Sequence, residues 1–310
     1  MDLSNINPVL LIASIMISAT PILLAAIGEM VVEKSGVLNL GVEGMMITGA
    51  VIGFIVAINT GAPLLGFATA AIAGALLSLT FGVLTQVFLS NQVATGLGLT
   101  LVGLGLSSLL GKPYEGQKTV TLPKLDIPIL SDLPVVGRML FSHDIMVYIS
   151  LCIVVAVWAF LKYTRAGLIL RAVGESHESA HALGYKVIRV RLLAIMFGGA
   201  CAGLGGAYLS LVRVPQWTEG MTAGAGWIAL AIVVFASWRA GRVLIGAYLF
   251  GGITVLQLNL QAAGMTWGVQ YLSMSPYLIT ILVLVFISSN RSRSSHDAPA
   301  NLGQTFHATR

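Results

Sequence analysis

An all-α, polytopic integral membrane protein is the fold class this sequence predicts, on three observations. Apolar residues fill 56% of the 310 positions and charged residues only 9%. Mean hydropathy is +0.90. The apolar residues also gather in long runs nearly free of charge, a composition outside the range of soluble globular domains. A bilayer core about 30 Å thick needs roughly 20 apolar residues per helix, and only structures that close their own backbone hydrogen bonds can cross it.

Nine runs qualify, near 8–28, 37–58, 63–89, 93–111, 144–161, 192–212, 224–238, 243–260 and 276–289, with eight and ten as bounds on the count. The run at 224–238 is short, and those starting at 37 and 93 are interrupted by glycine. These three are the candidates for partial or re-entrant spans. The start, MDLSNINPVLL, has Asp2 but no lysine or arginine before the first apolar run, so a cleavable leader is not expected. Cys152 and Cys201 lie inside apolar runs and read as packing residues.

Lysine and arginine set the orientation. With the N-terminus outside and nine alternating runs, the inside holds Lys34, Lys162, Arg165, Arg171, Lys186, Arg189, Arg191, Arg239, Arg242, Arg291, Arg293 and Arg310. The outside holds Lys112, Lys118, Lys124, Arg138 and Arg213. Twelve against five favours this topology, with the C-terminus inside. The net charge of +5 is then mainly a topology signal, and no basic stripe points to nucleic acid.

The chain reads as one transmembrane domain over 1–290 and a polar tail over 291–310 without periodicity, expected to be disordered. Segment 112–143 carries four of the ten prolines with mixed charges and should form an irregular outer loop. The inner segment 162–191 has six basic and two acidic residues around a helical centre. In RAVGESHESAHALGYKV, Gly174 breaks the preceding segment, Ser176 is an N-cap, Glu178 sits in the first turn and Gly184 stops the helix. Two readings stay open from these residues: a surface helix joining two spans, or a helix end of small residues that fits a groove on another protein. His177 and His181 share a face, but with no third ligand nearby a metal site is not expected.

Three blocks, EKSGVLNLGVEGMM (33–46), RAGLILRAVGESHESAHALGYKV (165–187) with GGACAGLGGAY (198–208), and GAGWIALAIVVFASWRAGRVLIGAYLFGG (224–252), resemble the permease subunits of bacterial ABC importers. The likeness is strongest to the nucleoside and simple-sugar branch of the group that includes ribose and branched-chain amino-acid permeases. It covers the chain from about 29 to 290. Two departures stand out: His181 occupies a place commonly filled by a smaller residue, and ASWRAGR replaces the usual proline-containing turn.

The resemblance implies a bacterial inner-membrane subunit working with a second, similar permease, a cytoplasmic ATPase and an extracytoplasmic binding protein or lipoprotein. It also implies that 162–191 is a cytoplasmic coupling loop docking on that ATPase. Arg171, Gly174, Glu175, Glu178, Ala180, Leu183 and Gly184 are its candidate contacts. This chain has no G-x-x-x-x-G-K-[ST] sequence, so ATP and magnesium would be used by the partner and no cofactor is expected here. Cargo is read as nucleoside first and simple sugar second, with branched-chain amino acids as an alternative.

Residues within the spans supply the pathway candidates. Asn39 and Glu43, four apart, are expected on one side of a helix beginning near Gly36. A carboxylate there needs a partner, either as a brace or gate for backbone freed at the break, or in direct contact with cargo. Asn91, Gln92, Trp227, Gln257, Asn259 and Gln261 complete the pool, since a nucleoside wants flat apolar contact and a few directed hydrogen bonds. Gly199, Gly203 and Ala207 recur every four residues and read as a helix-packing face. An ATP-independent secondary transporter is disfavoured, because Glu43 lacks the companion acids of a proton relay and no inverted pair of interrupted spans is visible. No nucleophile and base come together as in an enzyme.

Overall fold

A computed structural model of the chain describes residues 8–126, 136–262, 271, 274–279, 281–282, 285 and 298–307. Its long helices are α1 (Pro8–Lys34), α2 (Val42–Thr60), α3 (Pro63–Gln86), α4 (Gln92–Gly111), α6 (Ile145–Tyr163), α9 (Val187–Tyr208) and α11 (Ala240–Ala262). Among the described residues these seven are long and apolar enough to cross a membrane. Between them lie the shorter α5 (Val136–Leu140), α7 (Arg165–Glu175), α8 (His177–Ala182) and α10 (Ala225–Phe235). Half of the ninth expected run, 276–289, falls outside the described residues, and 276–279, 281–282 and 285 are helical.

Most boundaries follow from local chemistry. Asn91 accepts a hydrogen bond from the Ala94 N–H and Asp144 accepts from Met146 and Val147, so α4 and α6 begin at side-chain caps. The run at 93 is therefore a regular capped helix and not an interrupted one. The run at 37 is interrupted: residues 37–41 are unwound before α2. The 224–238 run is cut short, as expected, to an 11-residue helix.

The described residues of segment 112–143 include regular backbone pairs beside its prolines. β1 (Lys124–Asp126) pairs antiparallel with β2 (Ser142–Asp144), and Lys118 bridges to Gln216. These backbone pairs satisfy groups that a chain lying over the bundle would otherwise leave open.

α1 runs through the centre of the bundle, and residues 19–27 are almost entirely enclosed. The closest crossing is α9 on α3 and α2. A Cβ added at Gly203 would strike the Ala70 carbonyl oxygen, and one added at Gly74 would strike the Gly199 carbonyl oxygen. The small-residue face read from the sequence is thus where backbones meet, as expected where lipid provides no apolar driving force between helices.

Two local expectations are corrected. Gly174 does not break a helix: α7 runs through it to Glu175, and the break comes at Ser176, whose backbone is extended. Glycine stands there because the end of α7 presses on the Lys34 carbonyl, which a Cβ would hit. Of the tail, expected to be disordered, the described residues 298–307 carry no helix or strand but are seated against the bundle. The cause is Phe306, an apolar ring only 6% exposed, together with backbone N–H groups of Asn301 and Gly303 that donate to Gly174 and Gly36. The remaining tail positions, 291–297 and 308–310, lie outside the described residues.

The α3–α9 crossing gives a paired expectation. Alanine is intrinsically about 1 kcal/mol better than glycine inside a helix, and nothing lies within 4 Å of a Cβ at Gly98, so Gly98→Ala should hold or raise the melting temperature of the detergent-purified protein. Gly203→Ala should lower it, because separating backbones costs about 1–3 kcal/mol; equal melting curves would refute the close crossing.

Candidate functional site

The segment 214–224 leaves the end of α9, carries no helix and delivers the N-terminus of α10 into the interior. α10 has no side-chain cap of its own. Its cap comes from α2. Glu43, 3% exposed, accepts the Thr222 hydroxyl at 2.5 Å, the Gly224 N–H at 2.8 Å and the Gly226 N–H at 2.7 Å. The positive end of the α10 dipole and three donors together provide what a carboxylate loses by leaving water.

Asn39 does not share that helix face. It lies in the unwound 37–41 stretch, where its side-chain oxygen accepts the Gly41 N–H and its amide donates to Met45 Sδ. Such an Asx turn competes with helix and explains why α2 starts at Val42 and not near Gly36. The stretch is anchored by side chains on two other helices. Leu38 N–H donates to Gln92 Oε1 at 2.8 Å, and Asn39 N–H donates to Glu29 Oε1 at 3.3 Å.

Beside the Glu43 cap lies a cavity of about 380 Å³ with a mixed lining that includes Arg213, Thr218, Thr222, Phe250, Gln257 and Tyr277. Phe250 and Tyr277 meet edge to face at 6.0 Å. Glu43 is behind this wall and does not line it. An adjoining cavity of about 450 Å³ shares Ala223, Ile228, Phe250 and Tyr277 and adds Trp227. A third space of about 440 Å³, between α6, α7 and α9, is lined only by apolar residues and offers no side-chain hydrogen bond to a polar solute.

Of the candidate pathway residues, then, Gln257 and Trp227 reach the cavities. Asn91 caps α4, Gln92 holds Leu38, and Asn259 turns its amide back to the Val255 carbonyl of its own helix. Gln261, near the end of α11, lines neither space.

In the 162–191 loop, Ser176 does cap α8, accepting the Ser179 N–H, and Gly184 takes a left-handed φ of +86° that ends it. Arg171, Glu175, Glu178, Leu183 and Gly184 are exposed. Leu183 stands out, with 77% of its surface free. Ala180 and Gly174 are buried, so neither faces outward with the other candidates. The reason is the tail: Phe306 covers Ala180, and its ring meets those of His177 and His181, each at 5.3 Å. Burial and then the Arg191 charge hold His177 below its ordinary pKa, with Glu178 acting the other way.

The chain matches the model of the family described as the branched-chain amino acid transport system permease component, over residues 11–287. It belongs to that family. The permease is 42% identical to a Haloferax volcanii chain provisionally named a glucose ABC transporter permease, over 87% of its own length and 88% of the relative's. It is 32% identical to a guanosine ABC transporter permease of Bacillus subtilis, covering 92% and 93% of the two chains. A nucleoside ABC transporter permease of Lactococcus lactis is 28% identical over 89% and 91%. No solved structure gives a significant match.

Several polar residues of the interior escaped the sequence reading. Glu29 and Glu33, both 1% exposed, lie on α1 beyond the first apolar run, 8–28. Glu33 accepts the Trp238 indole N–H. Arg191, assigned to a charged loop, is fully enclosed. A four-residue spacing that places Glu29 and Glu33 on one face was the available signal; for Arg191 no local signal exists.

Glu43→Gln turns an acceptor-only group into one whose NH₂ must confront N–H donors. The expected loss is about 1.5–3 kcal/mol, read as a lower melting temperature of the purified permease. A melting temperature equal to wild type would show that the α10 N-terminus is held by something else.

Proposed function

We propose that the permease is the membrane subunit of an ATP-driven importer that carries nucleosides or related simple sugars inward across the bacterial inner membrane, with its N-terminus outside and its C-terminus inside. The observation that carries this reading is the half-span α10, capped by Glu43 beside a cavity with both aromatic and hydrogen-bonding walls. Discontinuous helices of this kind build midplane solute sites in transporters. Phe250 and Tyr277 offer flat apolar surface, while Arg213, Thr218, Thr222 and Gln257 can address hydroxyl and carbonyl groups.

Glu43 acts in this reading as a brace that fixes the 222–226 wall, not as a cargo contact. Simple sugar is the second reading, favoured by the relative at 42% identity. The names of the guanosine and nucleoside relatives support the first. A pathway flanked by an 11-residue helix and non-helical backbone cannot face lipid unaided. Trp227 and Val234 on that helix are 46% and 47% exposed, and a second permease of this family would cover them. The exposed residues Arg171, Glu175, Glu178 and Leu183 would meet a cytoplasmic ATPase that supplies the ATP and magnesium chemistry, and a binding protein would deliver cargo on the opposite face.

The test is reconstitution of the permease with the ATPase, second permease and binding protein encoded beside it, in proteoliposomes, with uptake of labelled guanosine, adenosine, glucose and leucine compared. Uptake should require ATP, stop with vanadate and prefer the nucleosides; uptake without any ATPase would overturn the importer. Within that assay, Glu175→Arg should leave assembly intact and lower uptake by about tenfold, because juxtaposed like charges at an interface are strongly unfavourable. Undiminished uptake would remove Glu175 from the contact.

A further inference from the structure

Arg191 is the one fully buried arginine among the described residues, and its four partners come from four parts of the chain. Nε donates to the Ser35 carbonyl at 3.2 Å, at the break between α1 and α2. Nη1 donates to Gln86 Oε1 at the end of α3 and to the Gln304 carbonyl of the tail, both at 3.1 Å. Nη2 faces His177 Nδ1 of α8 at 3.4 Å. All four acceptors are neutral, so the guanidinium works here as a rigid fork of donors and not as half of an ion pair.

The tail reinforces the same junction. Asn301 N–H donates to the Gly174 carbonyl at 3.0 Å, and Gly303 N–H donates to the Gly36 carbonyl at 3.1 Å. Two residues of one short turn thus bond the end of α7 to the α1–α2 break. The turn is itself closed by Leu302 N–H to Pro299 and Gln304 N–H to Asn301. Phe306 then fills the space enclosed by Val173, Ala180 and Val187 and meets the rings of His177 and His181.

α8 needs this support. Six residues are too few for a helix to hold itself in water. Only His177 and Ala180 of α8 are buried. Ser176, in extended conformation, is the single residue joining it to α7. Among the described residues, Phe306 is the one aromatic side chain in the cluster that covers the buried face of α8. With the tail in place, α7, α8, the Gly36 carbonyl and Arg191 form one hydrogen-bonded body.

We propose that residues 298–307 are a strap that stiffens the coupling helix, with Phe306 and Arg191 as positioning residues that deliver motion of α8 to the Ser35–Asn39 break. This rests on the importer reading above. From Ser35 the path is covalent and short, through the anchored 37–41 stretch to Glu43 and the α10 cap. The strap touches neither cargo nor cavity, so its contribution lies in how much transport each ATP hydrolysis yields.

Two measurements on Phe306→Ala test it. Hydrogen exchange of the amides at 176–184, read on the purified full-length permease alone, should quicken by about tenfold. In the reconstituted importer, solute moved per ATP hydrolysed should fall by about fivefold, the lower range of coupling effects, while the yield of assembled complex stays at the wild-type level. Phe306→Tyr, which keeps the ring, should restore both. Should Phe306→Ala fail to insert, Phe306→Leu keeps apolar volume, loses the ring contacts and carries the same expectation at about half the size. Unchanged exchange overturns the strap, and so does faster exchange with undiminished solute per ATP, since Phe306 would then be structural only. A wild-type assembly that moves solute without an ATPase overturns the importer reading instead, and the exchange result separates the two failures.

Discussion

The contact on which the interior depends is one carboxylate holding the start of a helix that does not belong to it. A short helix ending inside a bilayer protein leaves N–H groups that lipid cannot satisfy, each costing several kcal/mol if unpaired. Glu43 meets two of them directly and fixes Thr222 besides. The same contact answers the opposite problem, since a buried carboxylate without donors would be as unfavourable as the orphaned amides. Each half of the arrangement is tolerable only because of the other. That mutual need fixes the position of 222–226, and with it one wall of the cavity.

Close backbone approach makes this geometry possible. Gly226 lies so near the backbone at Val42 and Glu43 that a Cβ there would overlap it, which is why the carboxylate can reach main-chain donors instead of longer side chains. The α3–α9 crossing applies the same device elsewhere and yields a scaffold of small, directly apposed surfaces. Against such a scaffold the polar contacts stand at fixed distances, and little slack remains for them to be remade one at a time.

What was legible in the sequence was local or compositional. The α8 cap at Ser176 and its stop at Gly184 involve neighbours three to five residues apart, so residue type and spacing suffice to see them. That Glu43 must find a partner follows from its charge in an apolar run. That the partner is Thr222–Gly226 does not, because nothing local connects residues so far apart in the chain. The spacing to Glu43 predicts Asn39 on a helix, but its side chain bonds the backbone two residues on and halts the helix. Ending the first run at the first acid hid Glu29 and Glu33, which lie on a helix extending to Lys34. A basic residue near a span end looks like a topology signal, and that pattern hides the burial of Arg191. One phenylalanine in a polar tail has no periodicity to betray its burial.

These two polar centres, Glu43 and Arg191, sit on either side of the unwound stretch that starts α2. If 37–41 were a floppy connector, displacement at Ser35 would be absorbed in its backbone torsions and never reach α2. It is instead pinned to two other helices, Leu38 to Gln92 on α4 and Asn39 to Glu29 on α1, and braced internally by Gly41 N–H on the Asn39 side chain. The stretch is preceded by Gly36, whose φ of +88° lies in a region that other residues rarely adopt, so the chain changes direction there at a residue suited to it. In the proposed mechanism the stretch serves as a jointed link, with its joint at Gly36 beneath Arg191 and a braced run from there to Glu43. In the proposed importer, a link of this form would carry tilting of the 162–191 loop to the α10 cap, and hence to the cavity wall, without any span changing length or unfolding.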